Sequence, residues 1–317
     1  ASGRLYLSAW DGAGYSGNPG KGFVVRAVPK NWTYKAFPDI KDASIGELQS
    51  LLKSGSAVAR LSAQQELLNR PKKKASEAAW ELASDKSLPL YSRVAAMYTY
   101  AQAAGKEGIK HVAQLCSEEV MSEYALRALA DRKPLVNEVP IEPFLTGIKS
   151  ASPRVQIAAI IGLGRLGRTE AAGALLQIPV PPSFVSPPAG EEGPHATPNT
   201  AIIPAHLAVK ALVALHAVDA CVAAIGSQNS TLALWALRYM HDPKAVDGLI
   251  AAYGKSQDAA LKAHILTTLG RLYKTEAPYD GSWWWSTRPD THGPYYKPIT
   301  WEASDKINAF LAEEWNK

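Results

Sequence analysis

The spacing of apolar positions along the chain changes once. Over Leu5-Tyr6-Leu7-Ser8-Ala9-Trp10, and again over Phe23–Val28, the alternation has period two, which predicts two strands. The Gly-rich stretch from Asp11 to Gly22 between them predicts the turn of a hairpin. A lone hairpin is marginal in water. It must lean on the helical residues after it or form the edge of a larger β domain, and the second reading is favoured. From about residue 43 the period becomes 3.6 and holds to about residue 275, predicting amphipathic helices throughout.

Those helices repeat. Ala-rich segments begin at Leu61, Val94, Tyr124, Val155, Leu207, Leu232 and Leu261, at intervals near 30 residues apart from one of 52 between Val155 and Leu207. Before several of them lies a shorter amphipathic segment, such as Ile45–Leu52, Glu77–Leu82, Ile109–Leu115 or Val246–Ala252. Ser44 with Glu47 has the form of a capping box, and Ser152-Pro153 and Asp242-Pro243 place proline at a helix start. A single helix pair cannot hide its apolar side, so it must stack on the next. The expected fold is all-α: a right-handed α-α superhelix of stacked pairs, preceded by the short hairpin and closed by an aromatic cap.

The 34-residue period of tetratricopeptide units with its aromatic and glycine signature is missing, and so are the Thr-Pro-Leu-His turns of ankyrin units. Ser152-Pro153-Arg154-Val155, and in part Ser92-Arg93-Val94, resemble the start of the second helix in HEAT (armadillo-type) repeats. Residues 1–42 are then hairpin and linker, 43–275 the solenoid, and 276–317 an aromatic loop and terminal helix over Ser304–Trp315. A Pro-rich insertion at 179–204 accounts for the long interval. The side built from the second helices is the expected docking face, with Arg93, Arg127 and Arg154 as its polar contacts.

The tail adds a second candidate surface. Trp283, Trp284 and Trp285, with Arg288, Asp290, His292, Tyr295 and Tyr296, group rings and polar side chains in one loop. Such a loop can cap the last repeat, or stack on a sugar or a partner protein.

Composition narrows the chemistry. With 47% apolar and 20% charged residues the chain can bury a core. Its formal net charge of +5 is spread along the sequence, which argues against nucleic acid as a partner. No apolar run reaches the roughly 18 residues of a membrane span. Two cysteines, Cys116 and Cys221, form neither a CxxC pair nor a haem-attachment motif. The histidines show no HExxH or close helical pairing, so no metal or other cofactor is expected. His206, His216 and His264 read as structural or surface residues within the helices. Gly162-Leu163-Gly164-Arg165-Leu166-Gly167 spells a dinucleotide motif but follows a helix, so it reads as a repeat-helix end with a glycine for a left-handed cap. Lys72-Lys73-Lys74 reads as a solvated face.

Three stretches carry a more specific resemblance: Leu5–Gly12 with Gly20–Arg26, Phe37–Ser44, and Asp280–Pro298 with its tryptophan triplet, Arg288-Pro289-Asp290 and Gly293-Pro294-Tyr295-Tyr296. Together they resemble large exported dehydrogenase-like proteins, the PVC-type haem-binding family, in which a β-propeller precedes HEAT repeats and a c-type cytochrome domain follows. The resemblance implies propeller and haem domains as neighbours and a periplasmic or extracellular location. This sequence lacks most of a propeller and any CxxCH, so neither catalysis nor electron transfer is carried over, and it reads as an internal piece. The expected function is a non-catalytic scaffold joining catalytic and haem domains. The alternatives are a carbohydrate- or ligand-binding module on the Trp/Tyr loop, or part of a sugar dehydrogenase assembly.

Overall fold

The computed structural model describes residues 5–10, 22–33, 36–181, 200–278 and 297–316. They fall into two units, residues 1–114 and 115–317.

In the first unit, β1 (Leu5–Trp10) and β2 (Gly22–Ala27) form the expected antiparallel hairpin, with Leu5 opposite Ala27 and Trp10 opposite Gly22. Successive residues Leu5, Tyr6 and Leu7 on one strand, and Phe23, Val24 and Val25 on the other, are all about half exposed or more, so apolar side chains face solvent on both sides of the ribbon. Helices α1 (Ile45–Leu52), α2 (Ala57–Leu68), α3 (Lys72–Ser84) and α4 (Leu90–Ala104) come next, then α5 (Ile109–Leu115), which carries the chain on to the second unit.

Local sequence explains the helix ends. Glu47 N–H donates to Ser44 Oγ at 3.3 Å and Ser44 N–H to the Glu47 carboxylate at 2.7 Å, closing the capping box that starts α1. α1 packs on α2 and α3 on α4, and the pairs join side by side. Gln49 donates to the Ala78 carbonyl at 3.1 Å and Gln64 to that of Ala95 at 2.9 Å, so each long amide bonds to the helix of the next pair. Lys72, Lys73 and Lys74 are exposed in the first turn of α3, where the helix dipole disfavours cations.

The second unit runs through α6 (Glu119–Ala130), α7 (Glu142–Gly147), α8 (Pro153–Leu166), α9 (Ala172–Leu176), α10 (Ile203–Ala214), α11 (Val218–Ala223), α12 (Ser230–Leu237), α13 (Pro243–Lys255) and α14 (Ala259–Leu272). Each of the seven Ala-rich segments lies in a second helix: α2, α4, α6, α8, α10, α12 or α14. Within this unit the second helices form one layer, α6 beside α8, α8 beside α10, α10 beside α12 and α12 beside α14, while α9, α11 and α13 lie in sequence behind them. The chain is therefore an all-α solenoid of helical hairpins. One expected boundary shifts: the insertion ends before residue 204, because α10 begins at Ile203 with Pro204 in its first turn.

Small residues set the spacing between layers. Ala125, Ala158, Ala159, Ala208 and Ala211 are buried on the second helices, as are Leu126, Ile160, Leu163 and Leu212. A Cβ on Gly164 would lie 3.1 Å from the Ala211 backbone, and one on Gly162 would overlap the fully buried Phe144 ring. Gly167 ends α8 in the left-handed conformation, φ 70°, so the GxGxxG spelling is two packing glycines and a cap.

A closing element succeeds α14. The two-residue strands β3 (Thr275–Glu276) and β4 (Pro298–Ile299) pair antiparallel, and α15 (Ser304–Trp315) packs on α14. Trp301 Nε1 donates to the Leu272 carbonyl at 2.7 Å, Ser304 Oγ to that of Tyr273 at 2.7 Å, and Ile307 is fully buried. These contacts satisfy carbonyls at the end of α14 and cover its apolar side, as a terminal repeat requires.

Gly162→Ala tests the close approach. A helix-interior Gly→Ala change ordinarily stabilises by about 0.5–1 kcal/mol, whereas here the added methyl meets Phe144 and is expected to cost about 1–3 kcal/mol. Urea melts of Gly162→Ala, Phe144→Leu and the double variant should give a double-variant loss smaller than the sum of the singles. A stabilising Gly162→Ala would contradict the packing described.

Candidate functional site

Every second helix of the second unit turns one line of side chains away from the core. In α8 it is Arg154, Ile157, Ile161 and Arg165, at steps of three and four residues, which keeps them on one side of a helix. The corresponding lines are Val120, Tyr124 and Arg127 on α6, Ile203, His206 and Lys210 on α10, Trp235 and Arg238 on α12, and His264, Thr267 and Arg271 on α14.

Contacts between helices show that these lines lie side by side. Arg154 Nε donates to Glu123 Oε2 at 2.5 Å and its Nη2 to Oε1 at 3.1 Å, from α8 to α6. Arg165, near the other end of α8, pairs with Asp131, the residue that caps the end of α6. The rings of His206 on α10 and Trp235 on α12 lie 6.0 Å apart.

Glu123 is the polar anchor of this surface. It is 6% exposed, and a carboxylate so placed needs cationic partners. Arg127 on its own helix, at 3.4 Å, and Arg154 from the next repeat supply them. Both guanidiniums keep an outer side, with side-chain exposures of 51% and 70%.

Arg93 is not part of that face. It is 3% exposed, and its Nε donates to the Ala83 carbonyl at 3.0 Å, joining α4 to α3. The reason is phase. α4 begins at Leu90, making Arg93 its fourth residue, whereas Arg154 is the second residue of α8. Two positions turn a helix by about 200°, so Tyr91 occupies on α4 the place that Arg154 takes on α8. Trp283, Trp284, Trp285, Arg288, Asp290, His292, Tyr295 and Tyr296 lie outside the described residues.

His206 and His264 are exposed on their helices. His216 lies just past α10 rather than in it, at φ 49°. There its N–H donates to Val213 and that of Ala217 to Leu212, both at 3.0 Å, which is a Schellman ending with histidine in the place usual for glycine. Its Nε2 lies 2.7 Å from Asp242 Oδ2, while Asp242 Oδ1 accepts from Lys244 N–H at 2.8 Å and so caps α13. One carboxylate thereby connects the exit of α10 to the start of α13. The His216 hydrogen bond is the largest influence holding the Asp242 carboxyl below its ordinary pKa.

Three other features bear on chemistry. Trp80, Tyr100 and His111 form an aromatic cluster in the first unit, with Tyr100 Oη and His111 Nδ1 sharing a hydrogen bond at 2.5 Å and Trp80 stacked on the imidazole at 4.9 Å. Burial, and after it the charge of Glu107, raises the Tyr100 pKa. A cleft of about 510 Å³ in the second unit is lined by Val222, Ile225, Gly248, Lys255, Asp258 and Leu261, but Asp258 Oδ1 already caps α14 through Ala260 and Leu261 N–H. Cys116 and Cys221 have their thiol pKa values pushed up to about 12 by burial, which keeps them protonated and unreactive at neutral pH. Among the described residues no group of three or more His, Cys, Asp or Glu is placed to hold a metal ion.

Sequence inspection named Arg127 and Arg154 but missed Glu123, Ile157, Ile161, His206, Lys210 and Trp235 as one surface. The readable signal was their common phase within each second helix.

No protein-family model and no curated protein matches the chain. Solved structures similar to it include an archaeal HEAT-like repeats protein from Thermococcus onnurineus, at 16% identity and TM-score 0.32, covering 73% of this chain and 81% of that one. Human deoxyhypusine hydroxylase is similar at 15% identity and TM-score 0.27, covering 72% and 84%. The complex of CpcE and CpcF of phycocyanin lyase from Nostoc is similar at 17% identity and TM-score 0.27, covering 78% and 82%.

The Asp242 pKa gives a pH signature. A carboxyl whose folded pKa is depressed adds stability above its unfolded pKa, and that stability is lost as pH falls through the folded value. Asp242→Asn keeps a competent helix cap but removes the charge, so it should lower the melting temperature at pH 7 and converge with the parent at acidic pH. The difference at neutral pH should be below about 1 kcal/mol, as for an exposed pair. Thermal melts followed by circular dichroism across this range check it, and a pH-independent difference would refute the assignment.

Proposed function

We propose that this chain is a protein-interaction scaffold whose docking face is the layer of second helices between α6 and α14. The observation that carries this reading is the repetition of one outward line of side chains at the same phase on successive helices, linked across repeats by Arg154–Glu123, Arg165–Asp131 and His206–Trp235. Binding surfaces built from stacked repeats extend by adding rows of this kind. Glu123, Arg127 and Arg154 act in it as a structural anchor with exposed guanidinium edges.

Within this reading, the chain joins the propeller and c-type haem domains of a larger exported dehydrogenase-like protein. Support comes from the sequence resemblance over Leu5–Gly12, Phe37–Ser44 and Asp280–Pro298. The half-exposed apolar residues on both sides of the β1–β2 ribbon agree with strands that pack within a larger β domain. The source DNA on either side of the coding segment should then encode a repeated β domain before it and CxxCH after it. A sugar-binding alternative on Trp283–Trp285 rests on the rings and polar residues grouped in that loop of the sequence.

Site-specific photo-crosslinking tests the scaffold. A photoreactive aromatic amino acid at Ile157 or Trp235 should capture the same neighbouring protein domain in the native source, identified by mass spectrometry. The same group at Lys149 or Lys255 should not. Crosslinks confined to Lys149 and Lys255, or turnover of a substrate by the isolated chain that a point substitution abolishes, would overturn the reading.

A further inference from the structure

We propose that the second-helix layer of the second unit docks an acidic polypeptide segment, its carboxylates interleaved with apolar side chains. This rests on the scaffold reading and adds the chemistry of the partner.

Carboxylates are segregated between the two sides of the repeats, while cations occur on both, Lys244 and Lys255 of α13 among them. Helices α8, α10, α12 and α14 contain no aspartate or glutamate, yet they present Arg154, Arg165, Lys210 and Arg271 as exposed cations. The first helices of the same unit do carry carboxylates, Glu142 on α7, Asp219 on α11 and Asp247 on α13. The acids adjoining the layer lie at its margin or are engaged. Glu118 and Glu119 stand at the start of α6, Asp258 caps α14, Asp131 pairs with Arg165, and Glu123 is buried between two arginines.

The apolar component sets the kind of anion. Ile157 and Ile161 separate Arg154 from Arg165, which stand about 16 Å apart at the rise of an α-helix. Trp235 and Ile203 occupy comparable places on neighbouring helices. A duplex backbone carries one charge per roughly 1.7 Å and is matched by closely spaced cations. Cations parted by isoleucine and tryptophan, two of them already paired with Glu123 and Asp131, instead match a peptide that alternates carboxylates with apolar residues. Such complementarity orients and accelerates encounter, with apolar contacts fixing the bound state.

The test uses the full chain and three fluorescent probes: a peptide of Glu-Glu-Leu repeats, its Gln-Gln-Leu counterpart, and single-stranded DNA of equal charge. Anisotropy should show binding to the acidic peptide in preference to the other two, weakening as salt rises. Lys210→Glu combined with Arg271→Glu alters exposed side chains and should weaken that binding at least about tenfold, equivalent to about 1.4 kcal/mol, whereas Lys149→Glu with Lys255→Glu should not. Equal binding of the glutamine peptide, preference for DNA, or no binding overturns the inference. If Ile161→Ser weakens binding while the charge reversal does not, the scaffold face stands and the acidic partner falls. If neither substitution alters binding, the face itself is wrong and both readings fall.

Discussion

Close approach between second helices is the constraint on which the rest of this chain depends. A short amphipathic pair cannot cover its own apolar side, so its stability depends on the neighbour that stacks against it. In the second unit the second helices are lined by buried alanines and meet closely where Gly164 faces Ala211, while Gly162 lets Phe144 of α7 press against α8 within one hairpin. Dispersion and apolar burial accumulate only at such distances. The same spacing brings Arg154 within reach of Glu123 and His206 within reach of Trp235, so the polar surface is a product of the apolar contact behind it.

Much of the fold was legible because its signals are local. Helix starts announce themselves through Ser44 with Glu47, Ser152-Pro153 and Asp242-Pro243, and the Ala-rich segments keep their interval. Gly167 was readable as a cap because a spelling without its strand context has no other physical meaning. The closing helix could be expected from the need to cover the last repeat.

Less of the candidate surface was legible, and Arg93 shows why. Aligning Ser92-Arg93-Val94 with Ser152-Pro153-Arg154-Val155 matches letters, but α4 starts three residues before Arg93 and α8 one residue before Arg154. That offset turns one guanidinium inward and the other outward. Burial of a helical side chain depends on phase, which a motif comparison does not measure. Glu123 was invisible for a different reason: its partner Arg154 lies 31 positions away, and nothing in either segment alone says they meet. His216 is hydrogen-bonded and exposed as expected, but it stands just past α10 instead of within it, and its partner Asp242 belongs to another repeat.

Helices α9 and α10 pack together although the Pro-rich stretch intervenes between Leu176 and Ile203, and α10 still takes its place beside α8 and α12. Sequence length at that connection is thus uncoupled from the order of the stack. A chain built in this way can acquire or shed whole segments at one turn while every downstream hairpin keeps its neighbours, which lets new recognition elements be tried without refashioning the framework.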